Sequence, residues 1–332
     1  MPLRIPNSKP RTPNPARHPL RVTRYPLLAT VYPLVAFVAF AVAAFSVQAD
    51  TLLNASYDLS REFYRDVNAA FAGVWRQRTG NEPEIEQSHA GSSVQARAII
   101  DGLEADVVTL NQVTDIDVLV RARRVAPDWA TRFPYHASPY RSVIVFVVRA
   151  GNPKSLRNWN DLVKPGTEII VADPKTSGTA RYAFLGAYGY ALRASGGDQK
   201  AAETFLQEFC RHVPTLDTGS RGATTTFAAH GTGDVLLTYE AEAGLIRSRF
   251  GSDQIDVVVP PLTMPVDFPV ALVEPAVQEH HNRELAQAYL DFLFSTEAQQ
   301  IAARFYYRPN DPAVAAQYQG KYPSAELIDV DQ

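Results

Sequence analysis

A single cysteine, Cys210, excludes an internal disulfide framework, so no covalent staple holds this chain together. Its neighbours Phe205, Leu206 and Phe209 place it, by expectation, as a buried filler. Long apolar runs are also missing. The longest, Leu34–Phe45, has 12 residues, short of the roughly 20 that a membrane-spanning helix needs. No glycine-rich turn ends in Gly-Lys-Ser/Thr, which argues against a nucleotide-phosphate loop, and there is no Gly-x-Ser-x-Gly elbow. The seven histidines are scattered, and the stretch Glu279–Glu284 (EHHNRE) lacks the spacing of metal ligands and reads as a solvated loop.

What the N-terminus does contain is ordered. Residues 1–49 hold six Lys or Arg and no acid, then the apolar run, then Val47-Gln48-Ala49 before Asp50. This is the order of a secretory signal, with cleavage expected after Ala49. With those six cations set aside, 26 basic residues face 35 acidic ones, a net charge of −9 from Asp50 onward. That charge argues against nucleic acid as a partner, and any bound anion must be caught by local dipoles against the global field. About 280 mature residues exceed one ordinary core, so two lobes are expected.

Strand-like runs alternate with helical periods, the pattern of mostly parallel sheets wrapped by helices. "TLLNASY" precedes a helix with Phe63, Val67, Phe71 and Val74 on one face; "ADVVTL" follows a helix around Val94, Ala98 and Leu103. The strand Ser142–Arg149 ends at Gly151-Asn152-Pro153, and "EIIVA" then opens a second α/β unit. Near the end, Leu285, Tyr289, Phe292 and Leu293 share a helical face, and Thr296 with Gln299 has the pattern of a capping box.

Four places repeat one design, in which a strand ends, small or hydroxylated residues follow, and a helix begins. They are Ser56–Glu62 (SYDLSRE), Ser88–Ala96 (SHAGSSVQA), Lys175–Ala183 (KTSGTARYA) and Asp217–Phe227 (DTGSRGATTTF). Each new helix offers unpaired backbone N–H groups and the positive end of a dipole, which together hold an anion without a charged side chain. Any one of these turns is explained by helix capping alone. Four of them, at the carboxyl ends of strands where α/β proteins bind ligands, can face one cleft. Ser92 or Ser177 as a hydrolytic nucleophile, with His89 as base beside Ser88, is the rival reading, and the adjacency of those residues favours a turn.

These residues resemble a known family, the periplasmic sulfate-binding proteins of ATP-binding-cassette importers. The likeness runs from about Thr51 to Tyr322, through "LLNASYD", "QSHAGSSVQA", "GLEADVVTL", "VFVVRAGNPKSLRNWNDLVKPG", "DPKTSGTARYAFLGAYGYAL", "LDTGSRGATTTF", "GDVLLTYEAEA" and "AYLDFLFSTEAQQIAARFYYRP". It implies a type II periplasmic-binding-protein fold, α/β, with two lobes closing on a dehydrated tetrahedral dianion. The ligand set it implies is the backbone N–H of Asp58, Ser92 and Gly178 and the hydroxyl of Ser177, with three departures. Thr179 stands for a second glycine, Ser220 for alanine, and Tyr239 for a tryptophan whose indole N–H reaches the ligand. An indole nitrogen only donates, whereas a phenol donates and accepts, so Tyr239 can relax discrimination against protonated phosphate or admit thiosulfate or molybdate.

The resulting expectation is a non-enzymatic periplasmic monomer without cofactor or metal. It captures sulfate, or alternatively thiosulfate, molybdate or tungstate, and delivers it to a membrane permease. Residues 1–49 are the leader, 50–138 the first part of lobe 1, 139–239 lobe 2, and 240–332 a return to lobe 1 with C-terminal helices. Donors of this kind are neutral, so binding should depend only weakly on pH between about 5 and 8, and a stronger dependence would point to His89.

Overall fold

The computed structural model describes residues 50–251 and 253–329; the leader and the cleavage expected after Ala49 lie outside them. Two sheets organise these residues. In the first, β1 (Thr51–Tyr57) lies between β2 (Glu84–Ala90) and β3 (Val107–Thr109), parallel to both, and Val270–Leu272 pairs antiparallel on the far side of β3. The second is built on β4 (Tyr140–Arg149), β5 (Ile169–Ala172), β6 (Leu216–Asp217) and β7 (Val235–Tyr239), in the spatial order β4-β7-β5-β6. Strands Ile255–Val258, Pro265–Asp267 and Arg308–Pro309 also pair with β4, all antiparallel. The chain thus rejoins the first sheet at Val270, well past Glu240, and goes back to β4 at Arg308.

Residue choice explains these placements. From Ser142 to Val148 β4 is buried throughout, as a strand with neighbours on both edges and layers on both faces must be, and from Val143 to Val148 its sequence is correspondingly an unbroken apolar run. Strand β2, at the edge of its sheet, carries Glu84, Glu86, Gln87, Ser88 and His89 and is only half-buried. Helix Arg61–Thr79 buries Phe63, Tyr64, Val67, Phe71 and Trp75, an i, i+4, i+8, i+12 stripe that leaves Val74 40% exposed. Trp75, one residue on, takes the place expected of Val74 because it continues the four-residue row. The helix stops at Gly80, whose φ of 81° only glycine adopts freely, with its N–H donating to the Arg76 carbonyl at 2.8 Å.

Two further expectations are corrected. Cys210 is exposed: in helix Gln199–Arg211 the residues turned inward are Ala202 and Phe209, and one residue past Phe209 the helix has rotated about 100° toward solvent. The cap of helix Thr296–Arg304 is Ser295, which accepts the Ala298 N–H at 3.2 Å. Gln299 is instead a buried tie whose amide donates to the carbonyls of Pro139 and Leu293 and accepts from the N–H of Asn310.

Where the chain crosses between sheets, aromatic residues gather. Tyr57, Phe63, Tyr64, Tyr140, Phe268 and Tyr307 are all buried, and the hydroxyls pair as Tyr57 with Tyr307 and Tyr64 with Tyr140, each at 2.6 Å. Rings in such contacts add about 0.5–1.5 kcal/mol per pair beyond their area. Because each phenol finds the other, no buried hydroxyl of this cluster is left unpaired.

Beside the second sheet, against Phe146 of β4, Trp159 is fully buried, donates its indole N–H to the Leu262 carbonyl at 2.7 Å, and presses against Gly186. A Cβ at Gly186 would stand 2.7 Å from the ring. Gly186→Val should therefore lower stability by about 1–3 kcal/mol, read as a lower urea midpoint, while Gly73→Ala, with no atom within 4 Å of the new Cβ, should not.

Candidate functional site

All four strand-turn-helix junctions form as the sequence predicts: β1 leads through Asp58–Ser60 into helix Arg61–Thr79, β2 into Ser92–Ile100, β5 into Gly178–Ala194, and β6 into Ser220–Thr224. The first two belong to one sheet and the last two to the other, and they meet face to face. Gly91 abuts the Thr176 carbonyl so closely that an added Cβ would lie 2.2 Å from its oxygen. Gly178 has the same relation to Asn111, at 2.0 Å from Oδ1, and Gly219 to Asp58, at 2.8 Å from Oδ2. Glycine at these three positions is what lets the two sets of turns approach.

A chain of hydroxyls lines the meeting point. Ser177 Oγ is 2.7 Å from Ser220 Oγ, and Ser220 Oγ donates to Thr179 Oγ1 at 2.8 Å. Ser177 also caps its helix, accepting the Ala180 N–H at 3.3 Å, so its capping lone pair is engaged while its proton can be redirected. Tyr239, at the end of β7, is 1% exposed, with its ring edge-on to Tyr57 and Phe268. Its hydroxyl lies beside Thr179 without a hydrogen bond of good geometry, and burial pushes the phenol well above its usual range. Ser92 Oγ and Asn111 Oδ1 are likewise buried without a partner. Three orphaned polar atoms around one turn are costly in a protein interior unless a ligand or water engages them.

Asp58 enters through its carboxylate, which accepts the Arg221 backbone N–H at 3.0 Å and whose pKa burial raises. Asp58, Ser177, Gly178, Thr179, Ser220 and Tyr239 therefore lie where the two sets of turns meet, with Ser92 next to the Gly91–Thr176 contact. No Ser–His pair forms there: Ser88 bonds Gln95, and His89 faces the Tyr57 carbonyl and Gln87. Burial takes the His89 pKa down to about 4, so its ring stays neutral between pH 5 and 8. Among the described residues no group of His, Cys, Asp and Glu is arranged to hold a metal. His280, expected in a solvated loop, is anchored to the buried Asp106 at 2.7 Å, and that bond raises its pKa.

Sequence reasoning missed the groups that cross the cleft. Gln112 Nε2 donates to the Gly178 carbonyl at 3.1 Å. Arg181 pairs with Asp115 and also donates to Ser93 Oγ at 2.7 Å and Thr114 Oγ1 at 3.1 Å. Arg221 pairs with Glu62 at 2.7 Å; burial acts to raise the Glu62 pKa, and the guanidinium outweighs it and holds the carboxyl below its usual range. For Gln112 the available signal is the Asn111-Gln112 pair just past β3, at the same carboxyl end as the other turns.

Residues 61–308 match the family described as bacterial extracellular solute-binding protein. This chain belongs to that family. It is 46% identical over 285 residues to a thiosulfate-binding protein of Pseudomonas aeruginosa, covering 86% of each chain. It is 43% identical over 297 residues to a sulfate-binding protein of Escherichia coli (strain K12), covering 89% of this chain and 90% of that one. The solved sulfate-binding protein SubI from Mycobacterium tuberculosis H37Rv superposes with a TM-score of 0.76 at 32% identity, over 83% of this chain and 93% of that one. The fold is accordingly the α/β type II periplasmic-binding-protein fold, and no helix among the described residues is long and apolar enough to cross a membrane.

Gly91→Ala should prop the two sets of turns apart. Small-angle scattering should report a larger radius of gyration for this variant under conditions where the parent is compact; an unchanged radius would mean that the Gly91–Thr176 contact does not limit closure.

Proposed function

We propose that this chain captures sulfate or thiosulfate between its two sheets and hands it to the membrane permease of an ATP-binding-cassette importer, without chemistry on the anion. The observation that carries this reading is the buried hydroxyl chain and the close glycine contacts that bring strand-to-helix turns of both sheets together. The backbone N–H groups of Asp58, Ser92, Gly178, Thr179 and Ser220 and the hydroxyls of Ser177 and Tyr239 are the proposed ligands. Charged acceptors strengthen such bonds to about 1.5–3 kcal/mol each. The relatives' names support the anion class. One chain supplies both halves of the site, which fits action as a monomer, and the basic leader fits export with cleavage after Ala49.

The hydroxyl-rich lining distinguishes this pocket from one made of donors only. Ser220, Thr179 and Tyr239 each donate and accept. A fully ionised sulfate or thiosulfate needs donors alone, so the extra acceptors favour tolerance toward a protonated anion such as hydrogen phosphate over strict selection of the ionised one.

Thermal melting against sulfate, thiosulfate, molybdate and phosphate tests the class directly, since a ligand of the folded state raises the melting temperature. No shift with any of the four would overturn the reading. Ser177→Ala should weaken binding by about 1–3 kcal/mol, because it deletes a charge-assisted donor, and should lower stability by about 0.5–2 kcal/mol through the lost cap. A drop in melting temperature with unchanged affinity would leave Ser177 as a cap only.

Tyr239→Phe keeps the ring against Tyr57 and Phe268 and deletes the hydroxyl. Calorimetry should show affinity reduced by about 1–3 kcal/mol, with stability unchanged or raised because an unpaired buried oxygen is gone. Tyr239→Trp should restore a donor-only contact and widen the gap between sulfate and phosphate. Equal affinities for all anions in the parent and the phenylalanine variant would show that the phenol does not reach the ligand.

A further inference from the structure

Behind the Arg221–Glu62 bridge lies a cavity of about 640 Å³, lined in part by Arg221, Glu62, Glu242, Arg249, Leu245 and Phe250. Glu242, from helix Glu240–Phe250, is only 5% exposed, yet it makes no ion pair with a described residue. Its Oε1 accepts from Thr224 Oγ1 at 2.9 Å, and no hydrogen bond from a described residue reaches its other oxygen. Arg221 stands one helical turn before Thr224 on the same segment, and its Nε is buried without an acceptor while its Nη2 reaches across to Glu62. A buried carboxylate that feels Arg221 only through space, with no direct bond to it, and a buried guanidinium N–H without an acceptor thus border one cavity. Each is costly where it stands.

Their places in the fold give this pairing a purpose. Glu62 begins the helix that follows β1 and belongs to the first sheet's side, whereas Arg221 follows β6, and Glu242 follows β7, in the second sheet. When the two sides separate, Glu62 leaves with its own helix, and Glu242 stays with Arg221. Resting on the oxyanion reading above, we propose that Glu242 is the open-state partner of Arg221, a positioning residue that competes with Glu62 for the guanidinium and so sets how readily the closed, ligand-holding form opens. The cavity gives the side chain room to swing, and the free Nε is the donor that Glu242 would take.

The surroundings of Glu242 set the sign of a pH effect. Burial acts first and pushes its pKa up to about 7; Arg221 and the Thr224 hydroxyl lower it, and Asp58 and Glu62 raise it. Arg249 lines the same cavity with its guanidinium toward the Phe250 ring, Tyr307 lies within electrostatic reach, and neighbouring Glu240 is already paired with Arg308. In the open form a direct Arg221 contact holds the Glu242 carboxyl lower than in the closed form, so closing takes up protons. The closed form is therefore favoured below about pH 7 and loses ground as Glu242 ionises above it. Anion binding should weaken as pH rises through that value, by about three- to fivefold between pH 6 and 8, although no donor in the cleft titrates there.

Sulfate and thiosulfate affinities at pH 6, 7 and 8, with release rates by stopped flow, test this on the full mature chain and on Glu242→Gln. The variant is expected to bind with the parent's low-pH affinity at every pH and to release more slowly at pH 8. Retention of the parent's pH slope in Glu242→Gln, or weaker binding than the parent at pH 6, would overturn the proposal. Should that variant not fold, Glu62→Gln serves instead. There Arg221 turns to Glu242 even when closed, so the midpoint of the pH profile should fall below the parent's, and an unmoved midpoint would count against Glu242. A parent that binds neither anion sinks the oxyanion reading; a parent that binds both with a flat pH profile sinks this inference alone.

Discussion

The contact between the Gly91 turn and the Thr176 carbonyl is the one on which the cleft depends. It brings the carboxyl ends of two separate sheets within a backbone's width of each other, and every cross-cleft bond follows from that distance. Gln112 reaches the Gly178 carbonyl, Asp58 reaches the Arg221 N–H, and Arg181 finds Asp115, Ser93 and Thr114. The same closeness removes water from Ser177, Ser220 and Thr179, whose hydroxyls then bond one another. In a drier setting each of these bonds is stronger, and each unmet group is more costly. A cleft so constructed gains most from a ligand able to accept several hydrogen bonds at once.

The sequence displays this arrangement unevenly. The four turns are local events, a strand running out into Ser, Gly or Thr before a helix, so they can be read without knowing the fold. Their convergence was a weaker inference that needed the general rule about strand ends. Partners across the cleft were invisible, because nothing near Arg181 announces Asp115, and nothing near Arg221 announces Glu62. The misplacements have equally plain causes. Val74 and Trp75 are adjacent apolar residues, and only packing decides which continues the Phe63–Phe71 row. Cys210 sits in an apolar stretch, but its helix turns it outward. Ser295 and Thr296 are both able to cap, and Gln299 is drawn away by the carbonyls of Pro139 and Leu293.

Tyr239 joins the cleft to the segments that cross between the sheets. Its ring stands edge-on to Phe268, at the crossing into Val270, and to Tyr57, whose hydroxyl is tied to Tyr307 just before the chain returns to β4. A ligand bound through Tyr239, as proposed, would therefore press on rings packed where the chain crosses between the sheets. Substitution of the whole ring would disturb that cluster, whereas removal of the hydroxyl alone leaves it intact, which is what separates a ligand role from a packing role at this position.

Charge is arranged to be spent before a ligand arrives. From Asp50 onward the chain is strongly acidic, and the two guanidiniums nearest the cleft, those of Arg181 and Arg221, are already paired with Asp115 and Glu62. A free cation in the site would draw any anion and hold it against release. Paired where the two sides meet, the same cations tie those sides together, so on the proposed reading their energy would follow conformation and not the identity of the anion. On the proposed reading, selectivity then falls to the neutral lining, where a proton offered or withheld by Ser220, Thr179 or Tyr239 would distinguish one tetrahedral anion from another.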